Sequence, residues 1–284
     1  MEKIENLKVY WWGKTDHPTY KGPRNNFGDI ITPFIFSHYK IKFQEAESLE
    51  SANCISTGSV ARFAKENDLV LGSGIIFMND NLHPKAIWKF VRGPFSRLRV
   101  LASGGKCPNL FGDPALLLPN LYKESKKEFE IGLVPHYFDK DKFKNQSPSK
   151  IKIIDIVNSN PLEVVKDITS CKKIISTSLH GIICAHAYGI PAAWLKVSNL
   201  FGDDIKFYDY YASVNMVPII SKINDTKYQL PKSLNTQNLI EVFENITSKA
   251  ALASYNFVGK KDKKAADKAA VDVMRNLLNN LDIR

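Results

Sequence analysis

The stretch that most constrains how this chain can fold is residues 170–197, SCKKIISTSLHGIICAHAYGIPAAWLKV. The apolar run at 173–177 reads as a strand, and a tight turn then carries Ser178, Leu179, His180 and Gly181. Small and apolar residues at 182–188 suit a buried helix, and after a Gly-Ile-Pro turn residues 192–197 read as a second strand. This is a βαβ unit. In open parallel sheets, ligands bind outside the carboxyl ends of the strands, where the first N–H groups of the following helix are free to meet an anion. His180 stands at that place, with a rigid apolar helix behind it.

The segments before it repeat the pattern of a strand that ends in a polar loop. Residues 7–12 alternate and end in aromatics, a polar loop with Pro18, Gly22 and Pro23 follows, and Asn25-Asn26-Phe27-Gly28-Asp29 leads into the helically spaced IITPFIFSHY. Gly28 lets backbone approach a ligand, and Asn26 and Asp29 place an amide and a carboxylate at the rim; Asp29 reads equally well as a helix N-cap. Further strands are expected at 41–43 and 54–57, the latter leading through Thr57-Gly58-Ser59 into a helix ending at Asn67. A strand at 69–71 closes in Gly72-Ser73-Gly74, and neither glycine turn completes a dinucleotide or P-loop motif. After a strand at 86–91 come Arg92, Gly93, Pro94, Phe95, Ser96 and Arg97. A guanidinium at a strand end suits a carboxylate or phosphate, unless it pairs with a neighbouring acid. In GDPALLLP, 112–119, Asp113 either caps or faces the cleft.

The charge-rich stretch 122–130 is the expected boundary between two α/β domains, 1–125 and 126–284. The second begins with a strand at 131–135 that ends in His136-Tyr137, then a basic loop at 140–150, a strand at 151–157 and an amphipathic helix, PLEVVKDITSC. His136 faces the same cleft as His180 from another loop, whereas His186 lies inside the buried helix and reads as structural. The aromatic, acidic segment 201–211 is expected to be helical and to pack the core. Helices at 239–246 and 265–281 close the chain; the latter is amphipathic and either packs back on a domain or gives a basic contact with an anionic membrane or a partner.

A net charge of +10 and a pI near 9.2 imply an anionic partner. Nucleic acid is not expected, because the lysines are spread over loops and tail without a recognition module. Four cysteines without CxxC spacing, no signal-peptide pattern and no membrane-spanning run give the expectation of a soluble, cytoplasmic protein, with a place at the inner face of the membrane through its last helix as an open alternative. No metal-ligand spacing such as HExxH is present.

Taken together, NNFGD, VRGPFSR, GDPALLLP, IGLVPHY and STSLHGIICAHAYGIP, in that order, resemble polysaccharide pyruvyl transferases over roughly residues 7–212. The resemblance implies two Rossmann-like domains facing across a cleft, as in GT-B glycosyltransferases, with C-terminal helices in addition here. It implies transfer of the enolpyruvyl unit of phosphoenolpyruvate to a saccharide or lipid-linked saccharide, forming a ketal; no cofactor beyond that donor and no metal site is expected, and dependence on a divalent ion stays open. His180 matches the family's LHG histidine and becomes the expected proton donor, with Asp29 orienting or deprotonating the acceptor; Asn26, Gly28, Arg92, Arg97, His136, Ser178 and Gly181 are the expected substrate contacts. Many members carry an arginine where this chain has Ser178, which leaves one expected anion contact unassigned: either Lys172, Lys173 or Arg97 substitutes or the donor is held differently. Two other readings compete: a nucleotide-sugar glycosyltransferase on the same fold, and a non-catalytic glycan-binding scaffold.

Overall fold

A computed structural model describes residues 7–12, 23, 25–143, 151–218 and 220–222. It is an α/β structure with two five-stranded parallel sheets. The first, from β1 (Lys8–Tyr10), β2 (Gln44–Glu45), β3 (Cys54–Ile55), β4 (Leu69–Leu71) and β5 (Ile87–Phe90), has the order β2-β1-β3-β4-β5. The second, from β6 (Phe129–Val134), β7 (Ile151–Ile153), β8 (Cys171–Ser176), β9 (Ala192–Lys196) and β10 (Ile220–Lys222), has the order β10-β9-β8-β6-β7.

Each order reverses once. The chain runs from β1 to one side for β2 and returns to the other for β3, and it treats β6, β7 and β8 in the same way. Connections on the two sides of such a point diverge and leave a crevice at the strands' carboxyl ends. The first sheet's crevice therefore lies between the loops after β1 and β3, and the second's between the loops after β6 and β8.

The helices follow from their apolar spacing. In α1 (Phe27–His38), Phe27, Ile30, Ile31 and Ile35 form a buried stripe that packs into one core with Ile154, Ile156, Val164 and Ile168 of the second half. The Phe27 N–H donates to the Ile156 carbonyl at 2.7 Å, and the Asn158 N–H to the Asn25 carbonyl at 2.9 Å. Residues 1–223 form one compact unit. The helices expected at 239–246 and 265–281 belong to a second unit, 224–284, and lie outside the described residues.

The other helices are α2 (Pro94–Ala102), α3 (Leu118–Leu121), α4 (Pro161–Thr169), α5 (Leu179–Ala187) and α6 (Ile205–Ser213). Several local expectations change: the strand expected at 151–157 ends at Ile153, and the helix expected over 201–211 runs Ile205–Ser213. The helix expected to end at Asn67 is only a 3₁₀ turn, Ala61–Phe63, because Asp68 accepts the Lys65 N–H at 2.9 Å and Asn67 takes a left-handed φ of 66°. The strand expected at 41–43 forms instead at Gln44–Glu45. Helix α5 begins at Leu179, so His180 lies within its first turn. All four cysteines are buried and unpaired, and among the described residues no helix is long and apolar enough to cross a membrane.

Candidate active site

The two crevices open into one pocket. After β1, Asn26 and the first turn of α1 with Asp29 line it; after β3, Gly58, Ser59 and Arg62 of the 3₁₀ turn; after β6, His136, Tyr137 and Phe138; and after β8, Ser178 and the first turn of α5 with Leu179 and His180. Phe201 and Lys206, beyond β9, complete it.

His180 is held from two sides. Gly28 lies against its imidazole so closely that an added Cβ would stand 1.9 Å from Nδ1. The close approach expected of Gly28 is thus made to a side chain of this protein. On the other side, His180 Nε2 is 3.5 Å from Asp113 Oδ2. Of the two places the sequence offered Asp113 it takes the cap: Oδ1 accepts the Ala115 N–H at 2.9 Å at the start of the 3₁₀ turn Pro114–Leu117, while Oδ2 faces His180 and the residue does not line the pocket. Ser178 is the N-cap residue of α5, but its hydroxyl makes no capping bond and the residue lines the pocket.

Asp29 is approached by Asn26, whose Nδ2 donates to Oδ2 at 2.7 Å. Burial raises the Asp29 carboxyl to about 6, against the lowering effect of that hydrogen bond and of His180 and Lys206 nearby. Burial, with positive neighbours at Lys206 and His180, lowers the His136 imidazole to about 3, so it is neutral at physiological pH. Its Nδ1 accepts the Phe138 N–H at 3.4 Å, which leaves Nε2 as the proton-bearing nitrogen.

Two cations that the sequence reading passed over face this group. Arg62 lies over the rings of Phe63 and Phe201, 4.8 and 5.6 Å from their centroids, and its buried Nε has no hydrogen-bond partner. Lys206, in the first turn of α6, likewise makes no hydrogen bond or ion pair among the described residues. Burial, and then the positive charge of Arg92, lower its ammonium to about 8. A lysine at the positive end of a helix dipole is locally unfavourable, and that was the signal available in the sequence.

Other expected contacts lie elsewhere. Arg92 is fully buried and committed to protein: Nε donates to Asp209 Oδ2 at 3.2 Å, Nη1 to Ser59 Oγ at 2.7 Å and Nη2 to the Ile75 carbonyl at 2.6 Å. It is not among the pocket-lining residues, and the acid it pairs with comes from α6. Arg97 donates through Nε to the Cys107 carbonyl, and Lys172 pairs with Glu130; neither lines the pocket, nor does Lys173. Gly181 packs against β6 and β8, where a Cβ would come within 2.5 Å of Ser176 Oγ. His186 is half-buried with Nδ1 3.1 Å from the Tyr210 hydroxyl, the structural place expected of it. Among the described residues no three His, Cys, Asp or Glu side chains gather as metal ligands.

These features define an α/β protein whose two sheets turn their switch points onto one cationic, histidine-bearing pocket. The chain matches the polysaccharide pyruvyl transferase profile over residues 8–199, which hold every pocket loop up to β9, and it belongs to that family. It is 36% identical over 163 residues to an uncharacterized protein of Acanthamoeba polyphaga mimivirus, covering 54% of this chain and 57% of that one. It is 27% identical over 213 residues to the succinoglycan biosynthesis protein ExoV of Rhizobium meliloti (strain 1021), covering 68% and 60% respectively. The aligned region thus spans about three-fifths of these curated relatives. A profile of bacterial fructose-1,6-bisphosphatase, glpX-encoded, matches residues 237–284, outside the described residues and too short a part of the chain to carry an argument. No solved structure matches the chain.

Proposed function

We propose that this protein transfers the pyruvyl unit of phosphoenolpyruvate to two hydroxyls of a saccharide, forming a ketal and releasing phosphate. The observation that carries the proposal is the placing of two cations with His180 in one pocket: Arg62, whose buried Nε has no hydrogen-bond partner, and Lys206, whose Nζ lies over the Phe207 ring without a hydrogen bond or ion pair among the described residues. A small donor bearing a carboxylate and a phosphate needs two separated cationic anchors and a proton source, and this pocket offers them without the arginine that Ser178 replaces. In this reading the two sheets are the Rossmann-like pair of a GT-B-like architecture. The role of the ExoV relative in succinoglycan biosynthesis supports a saccharide acceptor, belonging to a surface polysaccharide or its lipid-linked precursor. Phe138 and Phe201, both more than half exposed at the pocket, offer faces for the sugar ring.

The chemistry then runs as follows. His180 gives a proton to the methylene carbon of phosphoenolpyruvate, and the central carbon, now electron-poor, is attacked by an acceptor hydroxyl whose proton passes to Asp29. The bond from that carbon to the phosphate oxygen breaks, its electron pair leaving with phosphate. The second hydroxyl closes the ketal. One of the two hydroxyl protons replaces the one His180 gave to carbon, and the other leaves with phosphate. Contact of the C-terminal basic helix with a membrane surface, at the cytoplasmic face, belongs to the same proposal and would hold the enzyme beside a lipid-linked acceptor.

Isothermal titration with phosphoenolpyruvate tests the anchors. Arg62→Ala and Lys206→Ala should each weaken binding about 10- to 100-fold, the loss expected for a charge-assisted hydrogen bond. Unchanged affinity in both variants would contradict the assignment. Binding of a nucleotide-sugar in place of phosphoenolpyruvate would make the protein a glycosyltransferase, and glycan binding without turnover would make it a scaffold.

A further inference from the structure

Imidazole has two nitrogens, and the surroundings of His180 treat them differently. Nε2 is buried without a hydrogen-bond partner, and so is Asp113 Oδ2, 3.5 Å away; each is the other's nearest available complement. That distance is slightly longer than a hydrogen bond, and a small rotation of the ring closes it. Asp113 is itself fixed, because Oδ1 accepts the Ala115 N–H and the side chain is 2% exposed. Nδ1 makes no hydrogen bond among the described residues and lies on the part of the ring that Gly28 approaches, in a side chain that lines the pocket. Among the described residues, Asp29 from α1 and His136 from the loop after β6 also interact electrostatically with the ring.

We propose that Asp113 is a positioning residue: it accepts the Nε2–H of His180 and thereby makes Nδ1 the nitrogen that exchanges a proton in the pocket. A carboxylate behind an imidazole fixes its tautomer and orientation and stabilises the cation formed when the other nitrogen takes a proton. The tautomer follows from the geometry alone. Its consequence for turnover rests on the pyruvyl transfer proposed above.

The test is ¹⁵N NMR of histidine-labelled full-length protein at about pH 8, where a free imidazole is neutral, with the His180 signals assigned by their loss in His180→Gln. The wild type should show a protonated Nε2 and an unprotonated Nδ1. In Asp113→Asn the Ala115 N–H keeps the amide oxygen in the Oδ1 place, so the amide nitrogen takes the Oδ2 place and donates to Nε2. The His180 tautomer should therefore invert. Asp113→Ser, which keeps a capping oxygen but removes the group beside the ring, should give a mixture of tautomers, and it carries the test if the asparagine variant fails to fold. An unchanged tautomer in the folded variants would overturn the proposal. In turnover assays with phosphoenolpyruvate, Asp113→Asn should lower kcat at least about 100-fold with little change in the donor KM. An inactive wild type would sink the pyruvyl-transfer reading and leave the tautomer measurement to judge Asp113 by itself.

Discussion

Asp29 and Lys206 face the same pocket, and burial moves them toward each other on the pH scale. The carboxyl is raised to about 6 and the ammonium lowered to about 8. A base must be ionised to take a proton, so Asp29 works only above its own value; an anion anchor must be charged, so Lys206 works only below its own. The account therefore predicts that kcat/KM for phosphoenolpyruvate climbs as pH rises through about 6 and falls as it rises through about 8. His136, lowered to about 3, stays neutral across this range and adds no limb. Lys206→Arg should move the alkaline limb to higher pH, because a guanidinium keeps its charge, while the need for a protonated His180 is the same in both proteins. A profile that is level from pH 5 to 9, or an alkaline limb untouched by Lys206→Arg, would contradict these roles.

At the scale of elements, the strand–turn–helix unit around His180 was legible in the sequence because its signals are local: a β-branched run, a small-residue helix and a Gly-Ile-Pro turn. The helix starting at Asp29 was legible for the same reason. What could not be read was which element meets which. Gly28 looks like a ligand's approach to backbone, and Arg92 like a ligand's anchor, until the fold brings up His180 and Asp209 across 152 and 117 residues. Arg62 was hidden differently: its segment reads as a helix surface, and only the brief 3₁₀ turn aims it inward. Helix α1 gives a direct check on the contact with His180. Alanine is intrinsically better than glycine in a helix by about 1 kcal/mol, yet Gly28→Ala places a methyl where the imidazole sits. Turnover should fall to the level of His180→Gln while circular dichroism stays helical. Retained turnover would mean that the ring can move without loss and that its clamping has no function.

At the scale of the molecule, α6 returns from the second sheet to the first, and Asp209 seals it there. Its carboxylate accepts from Arg92 and from the Ser96 N–H and hydroxyl, at 2.6 to 3.2 Å, with both charged side chains fully buried. Lys206 lies three residues earlier on the same helix, so this buried network and the pocket share an element. Removing one partner of a buried ion pair leaves the other charge uncompensated. Asp209→Ala should thus cost about 3–5 kcal/mol in denaturant unfolding, and Arg92→Met with Asp209→Leu together should cost less than the single change. Equal or greater loss in the double variant would mean that the pair itself holds the two sheets together.

What the shared pocket does is read from turnover of donor and acceptor together. Purified protein is given phosphoenolpyruvate with and without a panel of nitrophenyl and lipid-linked sugars, phosphate is followed, and the sugars are weighed by mass spectrometry, with His180→Gln in parallel. The account predicts phosphate release only when a suitable sugar is present, a product heavier by one pyruvyl group, and loss of both in the variant. Pyruvylated sugar formed equally well by His180→Gln, or no binding and no turnover of phosphoenolpyruvate with any acceptor, would contradict it.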